Sequence, residues 1–145
     1  FDVLEHIPDE ARALQKAEET LLPGGVLFLT VPALPILWSE HDEYAHHQRR
    51  YTTAYLKMII ETHTRLRIKR LTYFNTFLLP LIFSFRVAKR LLKIRSSSSD
   101  FFPTPSWMNR LFEFIFSAER FALRVIDFPA GVSLLCIAQK DSLHE

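Results

Sequence analysis

Cysteine and glycine are both scarce in this 145-residue chain. The one cysteine, Cys136, cannot form an internal disulfide, which excludes a disulfide scaffold and favours a reducing, cytoplasmic setting. Only three glycines occur, and no Gly-x-Gly is found anywhere. An excess of charge is also missing, because the formal net charge is +2. A charge this small does not predict nucleic acid as the partner.

Apolar residues are abundant, at 48% of the chain, and 13 of them are phenylalanine. This is enough to bury one sizeable core. The phenylalanine content predicts either a thick core or a ligand site lined with apolar side chains. The chain begins at Phe1 inside an apolar run, so we expect an N-terminal portion of the natural protein to precede it.

The first half of the chain alternates between helix and strand patterns. A helix should open at Ile7 and Pro8, with acidic residues in its first turn, and stop before Pro23. The apolar run 26–31 predicts a strand buried on both faces of a parallel sheet. A second helix should follow a Thr52 or Thr53 cap, and alternating residues 65–69 predict a half-exposed strand.

The second half predicts helices and a closing strand. The uncharged run 74–85 is shorter than the roughly 20 residues that span a bilayer. It continues into a basic amphipathic helix, and serines 96–99 form a linker. A long helix should cover 107–126, and 132–138 predicts a buried strand, free to pair antiparallel at or near the sheet edge. The whole pattern is α/β.

Residues 32–50 have no regular period and are rich in His, Asp, Glu and Arg. They follow the C-terminal end of a predicted buried strand, where open α/β sheets place their ligands. This loop is therefore the predicted location of substrate chemistry.

Several segments, in this order, resemble class I S-adenosylmethionine-dependent methyltransferases, and in particular a bacterial type-11/12-like subgroup. Segment 2–8 resembles the end of their fourth strand, 22–27 the turn into the fifth, and 129–135 the closing strand. Segments 38–43 and 47–52, the latter containing His-x-Arg-Arg-Tyr, are similar to that bacterial subgroup. The likeness is weakest in the predicted helical insert.

The resemblance implies the C-terminal half of a Rossmann-like seven-stranded sheet. Residues 1–73 would run from the end of strand 4 to strand 6, 74–127 would form a helical insert or cap, and 128–145 the last, antiparallel strand and tail. The implied cofactor is S-adenosyl-L-methionine. Because its glycine-rich loop has no counterpart here, we expect this chain alone to be a fragment without methyltransferase activity.

The resemblance also implies roles for residues at the two strand ends. Asp2, Val3 and His6 would lie near the cofactor, or else Asp2 bonds local backbone and His6 braces the helix start. His47 would act as general base or bond the substrate, since its ordinary pKa lies near neutrality. Its alternative is a loop histidine packed under Trp38 or Tyr44.

Five further residues are predicted to complete the substrate site. Arg49 and Arg50 could hold a carboxylate or phosphate, or instead form surface ion pairs with nearby glutamates, Glu40 or Glu43. Tyr51 would add a catalytic hydroxyl or begin the next helix as an apolar contact. The remaining candidates for substrate binding are Trp38 and His41.

No metal is predicted, because His41, Asp42, His46 and His47 match no zinc-binding spacing. The predicted acceptor is a small or lipid-linked molecule, without nucleic acid, and the oligomeric state is open. Segment 74–95 could either cap the substrate site or rest on an anionic membrane. The competing hypothesis is therefore a non-catalytic, membrane-associated α/β interaction module at the inner membrane face.

Overall fold

The computed structural model describes residues 3–91 and 105–142. Asp2, Lys93 and the serine linker 96–99 lie outside the described residues. The chain is mixed α/β, with five helices and three strands in the described part. In chain order these are α1 (Glu10–Thr20), β1 (Val26–Pro32), α2 (Glu40–Tyr44), α3 (Thr53–His63), β2 (Arg67–Phe74), α4 (Leu79–Leu91), α5 (Ser106–Ala122) and β3 (Ser133–Gln139). Short 3-10 turns cover Leu4–His6 and Pro35–Leu37.

The three strands form one sheet in the order β1-β3-β2. The last strand, β3, is antiparallel to both neighbours, so β1 and β2 run parallel to each other. The predicted antiparallel pairing of the last strand is confirmed, but within the described sheet β3 is the central strand and not an edge strand. A seven-stranded sheet is not present in the described residues, which hold these three strands only.

The core lies on one face of this sheet. Leu29, Cys136 and Leu71 are neighbours across the three strands, and the first two are completely buried. Helices α1 and α3 cover this face through Leu14, Ile60 and other apolar side chains. Burying a leucine completely stabilises the fold by about 1.5–3 kcal/mol.

The prediction that β1 is buried on both faces is wrong for the described residues. Leu27, Leu29 and Val31 point into the core, whereas Phe28 on the opposite face is 58% exposed. Apolar residues at nearly every position of the run conceal the alternation that normally marks a half-buried strand. The parallel pairing is also absent, since the described partner of β1 is the antiparallel β3.

Helix and strand boundaries follow local signals closely. Asp9 caps α1 by accepting from the backbone N–H of Arg12, so the helix begins two residues after Pro8. Thr52 caps α3 as predicted, accepting from the N–H of Tyr55. Strand β2 runs to Phe74, five residues beyond the predicted stretch 65–69.

Helices α4 and α5 lie within the segment 74–127, which was predicted to be helical. Buried Glu119 on α5 accepts from the backbone N–H groups of Thr76 and Phe77, both at 3.1 Å, just before α4. A carboxylate here stabilises the first turn of α4, where N–H groups lack intrahelical partners. The basic side chains of Arg86, Lys89 and Arg90 are outside the described set.

Candidate functional site

The loop that was predicted to carry substrate chemistry is closed by backbone hydrogen bonds at its two ends. Tyr51 donates its N–H to Pro32 at 2.8 Å, and Leu34 donates to the carbonyl of Tyr51 at 3.0 Å. These bonds form a short parallel bridge between Ala33 and Tyr51. Residues 34–50 therefore form a closed loop at the C-terminal end of β1.

Asp42 lies at the centre of this loop and is completely buried. Its carboxylate accepts from Arg50 at two atoms, Nε to Oδ1 at 2.8 Å and Nη2 to Oδ2 at 3.0 Å. Ser39 adds its backbone N–H at 2.9 Å, which with Asp42 forms a capping box at the start of α2. Burial alone would raise the pKa of Asp42, but the bonds from Arg50 and His47 lower it below its ordinary value.

His47 is oriented by this ionised carboxylate. Its Nδ1 lies 3.0 Å from Oδ1 of Asp42, and its side chain is 13% exposed. Because an ionised carboxylate can only accept, Nδ1 carries the proton in this contact. In the neutral ring, Nε2 then carries a free lone pair, which can accept a proton or bind a metal ion.

The turn Leu4–His6 lies against the same imidazole. The ring centroids of His6 and His47 are 4.8 Å apart, in an edge-to-face arrangement. Gln48 donates its N–H to the carbonyl of Glu5 at 2.7 Å, which holds the turn and the loop together. Donor atoms of Glu5, His6 and His47 all lie within 4.8 Å of one another, so these three residues could hold a metal ion.

A second polar cluster surrounds Glu10 on α1. Its carboxylate accepts from the hydroxyls of Tyr51, at 2.7 Å, and of Tyr55, and it pairs with Arg49 at 2.9 Å. Although burial raises the pKa of Glu10, these bonds lower it overall. The pKa of Tyr51 is raised, first by its burial and then by the bond to Glu10.

Three predicted site residues are thus bonded to protein groups. Arg50 is 8% exposed and directs Nε and Nη2 at Asp42 and Nη1 at the carbonyl of Ala33. Arg49 binds Glu10 and the carbonyl of Pro8, and Tyr51 is completely buried. The carboxylates they contact are Glu10 and Asp42 instead of the expected Glu40 or Glu43. This geometry favours positioning roles over direct contact with a substrate.

The other predicted residues are accessible. Trp38 is 40% exposed, and exposed His41 has its ring centroid 6.5 Å from that of His47. Val3 is 44% exposed, directly before the turn that carries His6. The structure therefore brings His6, His41 and His47 together, while Asp2 lies outside the described residues.

Sequence reasoning missed the parts played by Glu5, Glu10 and Asp42. For Asp42 a signal existed, because Ser39-x-x-Asp42 is a capping-box pattern directly before a short helix. Burial of Glu10 has no local signal, because its partners Arg49, Tyr51 and Tyr55 lie about 40 positions further along the chain. Glu5 gave no local signal either, because the loop that is bonded to its carbonyl through Gln48 is equally distant in sequence.

Within the described ranges, no helix combines the length and apolar character required to cross a bilayer. No protein-family model matches the chain, and no curated protein matches it significantly either.

Proposed function

We propose that this chain forms the acceptor-binding half of an S-adenosylmethionine-dependent methyltransferase, with His47 as its general base. One observation carries the proposal. Nδ1 of His47 lies 3.0 Å from the buried carboxylate of Asp42, which Arg50 holds in place with two further bonds. The arrangement orients an imidazole and leaves Nε2 as proton acceptor, as general-base catalysis requires.

The proposed reaction is a displacement at the methyl carbon of the sulfonium. An acceptor atom attacks this carbon, the carbon–sulfur bond breaks, and S-adenosylhomocysteine leaves with the bonding electron pair. For a hydroxyl acceptor, the proton passes to Nε2 of His47. The Asp42 carboxylate, 3.0 Å from Nδ1, then stabilises the imidazolium that forms.

The fold supports this proposal through the position of the loop. Strands β1 and β2 are mutually parallel and β3 is antiparallel to both, in agreement with the antiparallel last strand that the resemblance implies. The proposed full architecture is a seven-stranded Rossmann-like sheet, of which this chain supplies the second half. His47 follows the C-terminal end of β1, at the edge of the sheet where such folds bind ligands.

The proposed cofactor position is the turn Leu4–His6 and the residues before it. Val3 and His6 are both exposed there, next to His47. The chain contains no Gly-x-Gly, so we expect tight cofactor binding to require a glycine-rich loop that these 145 residues do not supply. In the complete protein this turn would contact the methionine portion of the cofactor.

Calorimetric titration with S-adenosylmethionine tests the proposal, on this chain and on the full-length product of its gene. We expect binding by the longer protein and weak or no binding by this chain. Failure of a folded full-length protein to bind would refute the methyltransferase assignment.

A second experiment tests the base in the full-length protein, by S-adenosylhomocysteine release with a panel of small and lipid-linked hydroxyl acceptors. His47→Gln should lower the rate about 10²–10⁴-fold. The matched control is His63→Gln, which changes an exposed histidine at the end of α3. Equal rates for the two variants would remove His47 from the mechanism.

Exposed apolar residues on the helical insert favour a second candidate, a membrane-associated α/β interaction module. Leu81 on α4 is 58% exposed, and Trp107 and Phe114 on α5 are 64% and 71% exposed. No acidic residue occurs between Glu61 and Asp100, a stretch that contains nine lysines and arginines. Apolar and basic residues together suit an anionic lipid surface.

Sedimentation with lipid vesicles tests this candidate. The module predicts binding to phosphatidylglycerol vesicles, lost in phosphatidylcholine vesicles and weakened by Leu81→Glu. Vesicle binding without cofactor binding by the full-length protein would favour the module over the enzyme. Binding of both the vesicles and S-adenosylmethionine would favour a methyltransferase at the inner membrane face with a lipid-linked acceptor.

A further inference from the structure

Glu5 has a buried carboxylate oxygen without a partner. The residue is 4% exposed, and its Oε2 is the one buried side-chain polar atom without a hydrogen bond in the described part of the chain. Its other oxygen lies 3.8 Å from Nε2 of His6. Leaving a buried polar group unpaired costs about 1–3 kcal/mol, so we expect a partner at this oxygen, either an ordered water or an ion.

The ring of His47 is held in the way that metal-binding histidines are held. Its Nδ1 contacts the Asp42 carboxylate at 3.0 Å, and Arg50 fixes that carboxylate in turn. Metal-ligating histidines almost always donate their second ring N–H to a carboxylate or carbonyl, which fixes the tautomer and raises the basicity of the ligand nitrogen. Since Nδ1 is engaged by Asp42, the nitrogen of His47 left to bind a metal ion is Nε2.

We propose that Glu5, His6 and His47 bind one divalent transition-metal ion of the zinc type. Two imidazoles and one carboxylate suit zinc and leave a fourth position open, whereas magnesium prefers oxygen ligands throughout. The three donor atoms lie within 4.8 Å of one another. In a tetrahedral site with bonds of about 2.1 Å, donors are separated by about 3.4 Å.

A modest closure would therefore complete the site. The side chain of His6 is 40% exposed, so its ring can turn toward the other two donors without disturbing the core. The proposal departs from the sequence expectation of no metal, because it combines one residue of the group 41–47, His47, with Glu5 and His6 about 41 positions earlier.

Metal and proton would compete for the same nitrogen. With an ion bound to Nε2, His47 no longer accepts a proton, so the metal-bound form and the base-active form exclude each other. The binding site itself is independent of the proposed methyl transfer, because ion binding requires no cofactor. In the metal-bound form, an acceptor hydroxyl bound at the open fourth position would lose its proton more readily because the ion lowers its pKa.

Titration of the 145-residue chain with Zn²⁺, followed by calorimetry without S-adenosylmethionine, tests the site. We expect one ion per chain, with affinity lowered at least about tenfold by Glu5→Gln and by His6→Gln. His63→Gln is the matched control, and its affinity should equal that of the wild type. The absorption spectrum of bound Co²⁺ should show tetrahedral bands in the wild type and lose them in both ligand variants.

Unchanged zinc affinity in His6→Gln would overturn the proposal, as would the absence of binding by the folded wild-type chain. His6 is exposed, so its variant should fold, and this result decides the matter even if Glu5→Gln unfolds. Because no cofactor is present, failure here leaves the methyltransferase proposal standing. Failure to bind S-adenosylmethionine likewise leaves the metal site standing.

Discussion

Replacing Arg50 with methionine should destabilise the protein strongly. Methionine keeps the length of the buried side chain but donates none of the three hydrogen bonds, two to Asp42 and one to the carbonyl of Ala33. Asp42, with no exposed surface, would retain a buried charge whose main partner is gone. Breaking a buried ion pair from one side costs about 3–5 kcal/mol. This is a large share of the roughly 5–15 kcal/mol that stabilises a domain.

Urea unfolding, followed by far-UV circular dichroism, measures the change. The matched control is Arg67→Met, since Arg67 pairs with Asp141 at 2.7 Å on the surface, with side chains 72% and 55% exposed. The control should lose about 0–1 kcal/mol. If Arg50→Met loses no more than the control, Asp42 does not depend on Arg50 and the reasoning about this site fails.

Three further predictions concern the rest of the fold. The pKa of Glu10 is lowered in the folded chain, so its stabilising effect is present above about pH 4.3 and is lost as pH falls through the folded value. Between pH 6 and pH 3, the urea concentration at the unfolding midpoint should fall less in Glu10→Gln than in the wild type. An equal fall in the two proteins would contradict this. Glu119→Gln should lower stability by about 1–2 kcal/mol in thermal unfolding, because the N–H groups of Thr76 and Phe77 would no longer donate to a negatively charged carboxylate. An unchanged melting temperature would contradict this. Gly131→Ala should cost about 1–3 kcal/mol in urea unfolding, because an added Cβ would collide with the backbone carbonyl of Phe74, and a stability equal to wild type would exclude that contact.

The sequence predicted those parts of the fold that depend on neighbouring residues, such as helix caps and strand-forming runs. The Thr52 cap predicted the start of α3, and the run 26–31 predicted β1. Burial on one face could not be foreseen from a run that is apolar at almost every position. The place of β3 between β1 and β2 depends on pairing between residues 59 to 113 positions apart, which no local sequence pattern predicts.

The sequence predicted where the candidate site lies, but it did not predict which side chains within the site contact each other. His47 was singled out, and it does lie beside His6. The adjacent Arg49 and Arg50 looked equivalent, yet one contacts Glu10 and the other Asp42. Which of two neighbours points inward depends on the bridge between Ala33 and Tyr51, a tertiary feature.

The central position of β3 has a consequence for how the chain folds. Val26 of β1 pairs with Gln139, 113 positions later, and Arg67 of β2 pairs with that same residue. Neither earlier strand can complete its hydrogen bonding within this sheet until β3 has been synthesised and has inserted between them. Pairing over such separations is slow, and strands that wait for a partner are prone to aggregate. During translation, β1 and β2 would therefore benefit from a chaperone, and truncation before Ser133 should yield insoluble protein rather than a smaller domain.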